Sequence, residues 1–145
     1  GLGQLIMEKN ATLRLAEMPP LKVPRSLLAQ IFENLIGNAL RYGCPSGGLI
    51  EVDCELNLET MRIRVSDHGA GIPTEEQGKI FDVFYRGSTG QSKRGTGIGL
   101  ATVKKIAKQY GGDAWYQETP GGGATFIVEF VQPSVAADDP ECSTR

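Results

Sequence analysis

The sequence predicts an α/β sandwich: one mixed sheet covered on one face by three helices. Three observations predict it. Strand-like stretches lie at both ends of the chain, with helical patterns between them. Turn chemistry separates the stretches, at Pro19-Pro20, at Asn57-Leu58-Glu59-Thr60 and at Thr119-Pro120-Gly121-Gly122-Gly123. The length of 145 residues suits one domain large enough for a real core, and no internal repeat is visible.

The elements follow in order. Gly1 to Asn10 reads as the end of a preceding helical segment or linker. Thr12-Leu13-Arg14-Leu15-Ala16 alternates as a strand does, and Leu21-Lys22-Val23 reads as a short returning strand. Pro24 and Ser26 open a helix that reaches Tyr42, and Gly43 closes it. Leu49 to Leu56 and Met61 to Ser66 form a hairpin. Asp67 to Pro73 is a glycine turn. Thr74 to Ile80 reads as a short helix, with Thr74 as cap and Gln77 three residues on. Asp82 to Gly95 is polar, holds three glycines and is read as a mobile loop. Thr96 to Tyr110 is a helix, and Gly112 to Glu118 and Ala124 to Val131 are strands. The expected organisation is one domain over residues 11–132, with a polar, disordered tail over 133–145.

Composition excludes several classes. An apolar content of 40% and a charged content of 22% fit a globular protein, and a net charge of −2 argues against nucleic acid as partner. The charge is uneven: Asp82 to Gln109 carries six basic residues (Arg86, Lys93, Arg94, Lys104, Lys105, Lys108) against the single acid Asp82, which suggests a bound anion. Cys44, Cys54 and Cys142 form no CxxC pair and His68 is the only histidine, so neither a zinc site nor a disulfide framework is supported. A reducing, cytoplasmic compartment follows. No apolar run approaches membrane-spanning length, so no membrane contact by this stretch is expected. The chain starts at Gly1-Leu2-Gly3 without Met and is read as part of something longer, which can itself be membrane-anchored.

Three segments carry the chemistry. On the first helix, Leu28, Ile31, Phe32, Leu35, Ile36 and Ala39 share one arc, while Gln30, Asn34, Asn38 and Arg41 share another of roughly 80°. An Asn carbonyl is a hard oxygen ligand of the kind Mg²⁺ accepts beside phosphate oxygens and water. Arg41 can reach a phosphate and Tyr42 can stack on a base. Alone, the stripe also fits a plain solvated face. Gly37 speaks against that, because a mid-helix glycine costs about 1 kcal/mol relative to alanine.

Asp67 is mounted at the end of a strand, on a turn whose Gly69 and Gly71 leave room for a flat ring. Its carboxylate accepts hydrogen bonds only, which suits an exocyclic adenine amine. An ordinary Asp-Gly turn is the alternative. His68, between Asp67 and Gly69, reads as a solvent-facing loop residue. The third segment, Gly95-Thr96-Gly97-Ile98-Gly99-Leu100, runs into a helix whose free N–H groups form a ready phosphate seat. It is neither a dinucleotide-binding GxGxxG nor a Walker loop. Phe81 and Phe84 bracket Asp82-Val83 and are expected to anchor the preceding loop in the core.

In order and spacing these segments resemble the ATP-binding catalytic domain of bacterial sensor histidine kinases. That family lies within the wider group of DNA gyrase, the mismatch-repair ATPases and a heat-shock chaperone family. The resemblance covers about residues 11 to 131 through four boxes: Glu33-Asn34-Leu35-Ile36-Gly37-Asn38-Ala39-Leu40-Arg41-Tyr42, Asp67-His68-Gly69-Ala70-Gly71-Ile72-Pro73, Ile80-Phe81-Asp82-Val83-Phe84-Tyr85-Arg86 and Gly95-Thr96-Gly97-Ile98-Gly99-Leu100-Ala101. Each box is modest alone; four in sequence are specific. The fold class implied is α+β, a two-layer sandwich of the Bergerat type. Its sheet is mixed, mostly antiparallel and of about five strands, with three main helices on one face.

The resemblance also implies roles. Asn38 coordinates Mg²⁺ and Asn34 assists at the phosphates. Arg41, where the family more often has Lys, contacts phosphate. Tyr42 stacks near adenine, Asp67 accepts its amine and Gly71 shapes the base pocket. Arg86 approaches the terminal phosphate, and Gly97 and Gly99 cradle phosphates, with a lid from Asp82 to Thr96. Gly69, Ile72, Phe84, Gly95, Thr96, Ile98 and Leu100 complete the nucleotide-contacting set; Asn34, Asn38 and Arg86 are the catalytic positions. The activity implied is transfer of the γ-phosphoryl of ATP to a histidine of a separate dimerisation and phosphoacceptor domain of the same kinase, with a response regulator downstream. His68 sits in the base-pocket turn and not in a helical acceptor motif, so the chain is expected to bind Mg-ATP without phosphorylating itself. The alternatives are a gyrase-type ATPase, an anti-sigma-type serine kinase, or a nucleotide-binding module without transfer. In the first two a glutamate lies four residues before the metal asparagine, where this chain has Asn34; Glu33 points about 100° away.

Overall fold

The computed structural model describes residues 7, 11–16, 23–42, 48–82 and 99–131, with the side chains of residues 41 and 42 excepted. Its elements are β1 (Thr12–Leu15), α1 (Arg25–Tyr42), β2 (Leu49–Leu56), β3 (Thr60–Ser66), a 3₁₀ turn (Thr74–Glu76), α2 (Gly99–Gln109), β4 (Asp113–Glu118) and β5 (Ala124–Val131). The strands form one five-stranded sheet in the order β1-β2-β3-β5-β4. β1 runs parallel to β2, and every other neighbouring pair is antiparallel. A parallel pair needs a crossover, which α1 supplies.

The predicted arc of α1 faces the sheet. Ile31, Leu35, Ile36, Ala39 and Leu40 are buried, and Leu28 and Phe32 pack against them. From the sheet they meet Ile50, Val52, Ile63, Val65, Phe126, Val128 and Phe130; α2 adds Val103, Ile106 and Ala107. Strand periodicity sends the alternate residues to the other face. There the charges pair across strands: Arg14 with Glu51 at 3.0 Å, Arg64 with Asp53 at 2.9 Å and with Glu55 at 2.8 Å, and Arg62 with Glu129 at 3.6 Å. The Arg62 guanidinium also lies 5.3 Å from the Trp115 ring centroid. One apolar face and one charged face make two layers, as the sequence predicts.

α2 ends by a mechanism that residue types explain. Gly111 takes φ 81°, its N–H donates to the Lys108 carbonyl at 3.1 Å, and the Gly112 N–H donates to the Ala107 carbonyl at 2.9 Å. This pair of bonds satisfies two last-turn carbonyls and needs a residue tolerant of the left-handed region. Asn57 stitches the β2–β3 hairpin: its Oδ1 accepts from the Glu59 N–H, the Thr60 N–H and the Thr60 hydroxyl. Thr60 thereby joins the strand that the sequence starts at Met61.

Some expectations are corrected. Thr74 to Ile80 is not a helix. Only Thr74–Glu76 forms a 3₁₀ turn, followed by turns through Ile80. No side chain caps it, since Pro73 holds the cap position at φ −57°, ψ 142° and Gln77 donates instead to the Ile72 carbonyl at 2.9 Å. Gly78 follows immediately, where a helix would need a good former. The described residues hold helices over 25–42 and 99–109, and Met7 is helical as well. Val23 is a buried bend and not part of a strand; Leu21 and Lys22 lie outside the described residues. The stretches 1–10, apart from Met7, and 132–145, with the expected tail, also lie outside them.

The basic segment is also less available than its composition suggests. Lys104 Nζ lies 2.9 Å from Asp113 Oδ1, donates to the Ala114 carbonyl at 2.9 Å and sits 5.0 Å from the Phe81 ring centroid; Lys108 reaches Asp113 Oδ2 at 3.6 Å. These two lysines fasten α2 to β4. The Lys104 hydrogen bond holds the Asp113 carboxyl below the usual carboxylate range, with the Ala114 N–H and the lysine charges adding to it against the cost of burial. A lowered folded-state value stabilises the protein above the ordinary aspartate range and loses that stabilisation as pH falls through the lowered value. Both groups are partly exposed, so Lys104→Met is expected to cost about 1 kcal/mol at pH 7. Thermal denaturation at pH 7 and pH 3 checks this: the gap from the parent protein narrows in acid.

Candidate functional site

Asp67 follows the last residue of β3, where successive side chains alternate between faces. Its own side chain turns inward and is only 2% exposed. Oδ1 accepts two backbone N–H groups, from Gly69 at 3.0 Å and from Ala124 at 3.0 Å. Asp67 also donates its own N–H to the Ala124 carbonyl at 2.9 Å. With both described donors on one oxygen, Oδ2 is left to take a donor from elsewhere. Burial raises the carboxyl above its usual range, while the Gly69 and Ala124 N–H groups and the charge of His68 pull it back.

The turn beyond Asp67 is built by close approach. Gly71 takes φ 80°, and a Cβ there would lie 3.4 Å from the Gly123 carbonyl oxygen and 3.6 Å from the Tyr116 hydroxyl. The Ile72 N–H donates to that hydroxyl at 3.4 Å, and the Tyr116 ring packs 5.9 Å from Phe126. Gly123 is tighter still. At φ 119°, a Cβ would stand 2.1 Å from the Asp67 carbonyl oxygen. Behind the turn, Thr119, Thr125 and Ser66 form a chain of hydroxyls 2.9 Å apart.

On the helical layer, Asn34 and Asn38 are half-buried on successive turns of α1, and Gly37 beside them is buried. Asn34 is brought against the start of α2: a Cβ on Gly99 would lie 3.0 Å from Asn34 Oδ1 and 3.3 Å from its Cγ. The structure therefore joins the asparagine stripe to the helix N-terminus that follows the second glycine run. Leu100 and Ile72 are half-buried and pack on the core. Phe81 meets Phe126 edge to face at 6.2 Å, as its anchoring role requires. Arg41 and Tyr42 are the last two residues of α1, and their side chains lie outside the described residues. Phe84, Arg86, Gly95, Thr96, Gly97 and Ile98 also fall outside them.

Sequence reasoning missed Tyr116, Gly123 and Ala124. Tyr116 and Gly123 leave one signal each, an aromatic at an inward position of a strand and a run of three glycines before the last strand. The Ala124 N–H leaves none, because any residue except proline supplies it.

The described residues thus offer an acceptor-only carboxylate in a closed turn and, at the start of α2, the amide oxygen of Asn34. Residues 24–134 match the family described as Histidine kinase-, DNA gyrase B-, and HSP90-like ATPase. The chain belongs to this family, as an ATP-binding catalytic domain of the sensor histidine kinase kind. The sensor histidine kinase WalK of Bacillus subtilis is 34% identical over 122 residues, which is 81% of this chain and 20% of WalK. The adaptive-response sensory kinase SasA of Rippkaea orientalis is 34% identical over 128 residues, 85% of this chain and 32% of SasA. The nucleotide-free catalytic domain of histidine kinase ThkA shares the fold with a TM-score of 0.76 at 28% identity, over 90% of this chain and 84% of that chain. This chain thus spans a fifth to a third of the length of those two curated relatives.

Proposed function

We propose that this domain, residues 11–132, binds Mg-ATP and transfers the γ-phosphoryl to a histidine on a separate phosphoacceptor domain of the same kinase. The observation that carries the reading is Asp67: a buried carboxylate, bonded through one oxygen to Gly69 and Ala124, with the other oxygen free for the adenine amine. Such an acceptor distinguishes adenine, whose amine donates, from guanine, which places a carbonyl at that position. Asn34 offers an amide oxygen at the α2 N-terminus, and Asn38 offers another one turn further along α1. That donor set fits Mg²⁺, which keeps few protein ligands and shares the rest with phosphate and water. Asn38 would hold it, and the metal would neutralise charge on the phosphates.

The remaining assignments extend the same reading. Gly97 and Gly99 cradle phosphates with the free N–H groups at the start of α2, Arg41 and Arg86 contact phosphate, and Tyr42 stacks on the base. Positioning and charge neutralisation carry phosphoryl transfer, with little covalent work for the protein. Glu33 is exposed on α1, while Asn34 faces α2, so among the described residues of α1 an amide and not a carboxylate stands at the position of a hydrolytic base. This favours transfer over hydrolysis. Among the structural relatives, ShkA is known in complex with AMPPNP and ThkA in complex with the response regulator protein TrrA. A response regulator is accordingly the downstream partner proposed. No helix among the described residues is long and apolar enough to cross a membrane; a cytoplasmic location is proposed from the kinase reading alone.

The test supplies a separate acceptor-helix domain in trans with labelled ATP. Acid-labile label is expected on the acceptor alone, and chelating the magnesium abolishes it. Label on this chain by itself, or release of inorganic phosphate without transfer, overturns the reading.

A further inference from the structure

Ile72 stands at the far end of the turn that begins at Asp67, and side chains from elsewhere hold both of its backbone groups. Its N–H donates to the Tyr116 hydroxyl at 3.4 Å, and its carbonyl accepts from Gln77 Nε2 at 2.9 Å. Among the described residues no backbone group bonds to it. Backbone groups shielded from water need partners, and here two side chains supply them. Tyr116 comes from β4, an edge strand of the sheet, and Gln77 directly follows the 3₁₀ turn. Both are half-buried. The Tyr116 ring is itself fixed: it lies opposite Phe126 in the β4–β5 register, 5.9 Å from a ring that is only 2% exposed.

These contacts run without a gap to the Asp67 carboxylate. Asp67 Oδ1 takes the Ala124 N–H, and the carbonyl oxygen of Gly123, one residue earlier, lies 3.4 Å from the Cβ position of Gly71. The Tyr116 hydroxyl lies 3.6 Å from that same position. The Gly123 carbonyl is held in turn by the Thr119 N–H at 3.1 Å. Gly69 and Gly71, the latter at φ 80°, give the chain between much conformational freedom. The turn is therefore located at its two ends, by Asp67 at one and by Tyr116 and Gln77 at the other. We infer that Tyr116 and Gln77 are positioning residues of the nucleotide site, which hold the Ile72 peptide in place so that Ile72 walls the base whose amine Asp67 accepts. The inference rests on the adenine reading of Asp67. Neither residue lies in the four boxes. A flat, rigid base must meet the carboxylate with its edge and the apolar wall with its face at once. With either side-chain bond gone, the turn has to be ordered at the expense of binding.

Calorimetry with Mg-ADP and with Mg-ATP tests this on the parent protein, Tyr116→Phe, Gln77→Met and Tyr110→Phe. Phe keeps the ring against Phe126 and Met keeps the length of Gln, so each change removes one hydrogen bond and little else. Tyr116→Phe and Gln77→Met are expected to bind about twofold to tenfold more weakly, the range of one neutral hydrogen bond. The factor is the same for both nucleotides, because the phosphate end is untouched, and the fitted stoichiometry stays at the parent's. Tyr110→Phe, which loses a hydroxyl just past the C-terminal end of α2, keeps the parental affinity. Hydrogen exchange at the Ile72 amide reads the turn without nucleotide and is expected to quicken in Tyr116→Phe and in Gln77→Met. A merely structural role lowers the stoichiometry or the melting temperature and leaves the dissociation constant alone. Parental affinity in either variant, or weaker binding with parental Ile72 exchange, overturns the inference while leaving the adenine reading intact. Absence of nucleotide binding by the parent overturns both.

Discussion

Asp67→Asn is expected to abolish measurable adenine-nucleotide binding while leaving the fold at least as stable as before at pH 7. The amide can still accept the Gly69 and Ala124 N–H groups through its oxygen, so the turn keeps its frame. Its nitrogen then occupies the place of Oδ2 and presents a donor to the donor of adenine. Loss of a charge-assisted hydrogen bond costs about 1.5–3 kcal/mol, one to two decades of affinity, and the opposed donors add to that. Stability moves differently. Burial raises the Asp67 carboxyl above its usual range, so the fold favours the protonated form. A raised acid contributes stability that is complete below its unfolded value and is lost as pH rises through the folded one. At neutral pH the ionised group is a cost of folding that Asn removes. Calorimetry for binding and thermal denaturation at pH 4 and pH 7 separate the two effects. Tight nucleotide binding by the variant, or a fold that melts far below the parent, contradicts this account of the site.

Gly112→Ala is expected to prevent folding. A Cβ there would lie 1.6 Å from the Glu129 carbonyl oxygen and 2.4 Å from its carbon. Neither atom belongs to a flexible side chain. Glu129 sits in β5, flanked by β3 and β4, and cannot retreat without breaking ladders on both sides. The cost exceeds about 4 kcal/mol, the exceptional end of single substitutions and a large part of a domain's whole stability. Gly111→Ala next to it strains a left-handed helix end, which costs about 1–2 kcal/mol, and its Cβ would press on the Val131 side chain at 3.1 Å, which can give way. Far-ultraviolet circular dichroism and urea unfolding of the two variants distinguish them. A cooperative, near-parental transition for Gly112→Ala refutes the close approach.

What the sequence makes legible is local. The α1 arc is readable because 3.6-residue periodicity puts Ile31, Leu35, Ile36 and Ala39 on one side whatever the rest of the chain does. The hairpin is readable because Asn57 carries its own turn chemistry. Asp67 is readable as a candidate because a carboxylate among glycines is conspicuous. The 3₁₀ turn at Thr74 misleads, since a Ser/Thr-x-x-Gln pattern promises a cap that Pro73 and Gly78 then leave without a helix. Lys104 and Lys108 mislead in another way: composition shows their charge, but Asp113, which takes it up, belongs to a different element. The partners of Asp67 are the hardest to foresee. Ala124 lies 57 positions away in the chain and contributes only a backbone N–H.

That separation bears on when the pocket first exists. β3 and β5 are neighbours in the sheet although α2 and β4 lie between them in the chain. A ribosome delivers Asp67 long before Gly123 and Ala124, and until those emerge the carboxylate has neither its second amide nor its rear wall. The newborn domain can hold helix and hairpin, but it acquires affinity for nucleotide only when its final strand slots in beside the third. Nucleotide capture by nascent chains of increasing length is therefore expected to stay silent until β5 has emerged.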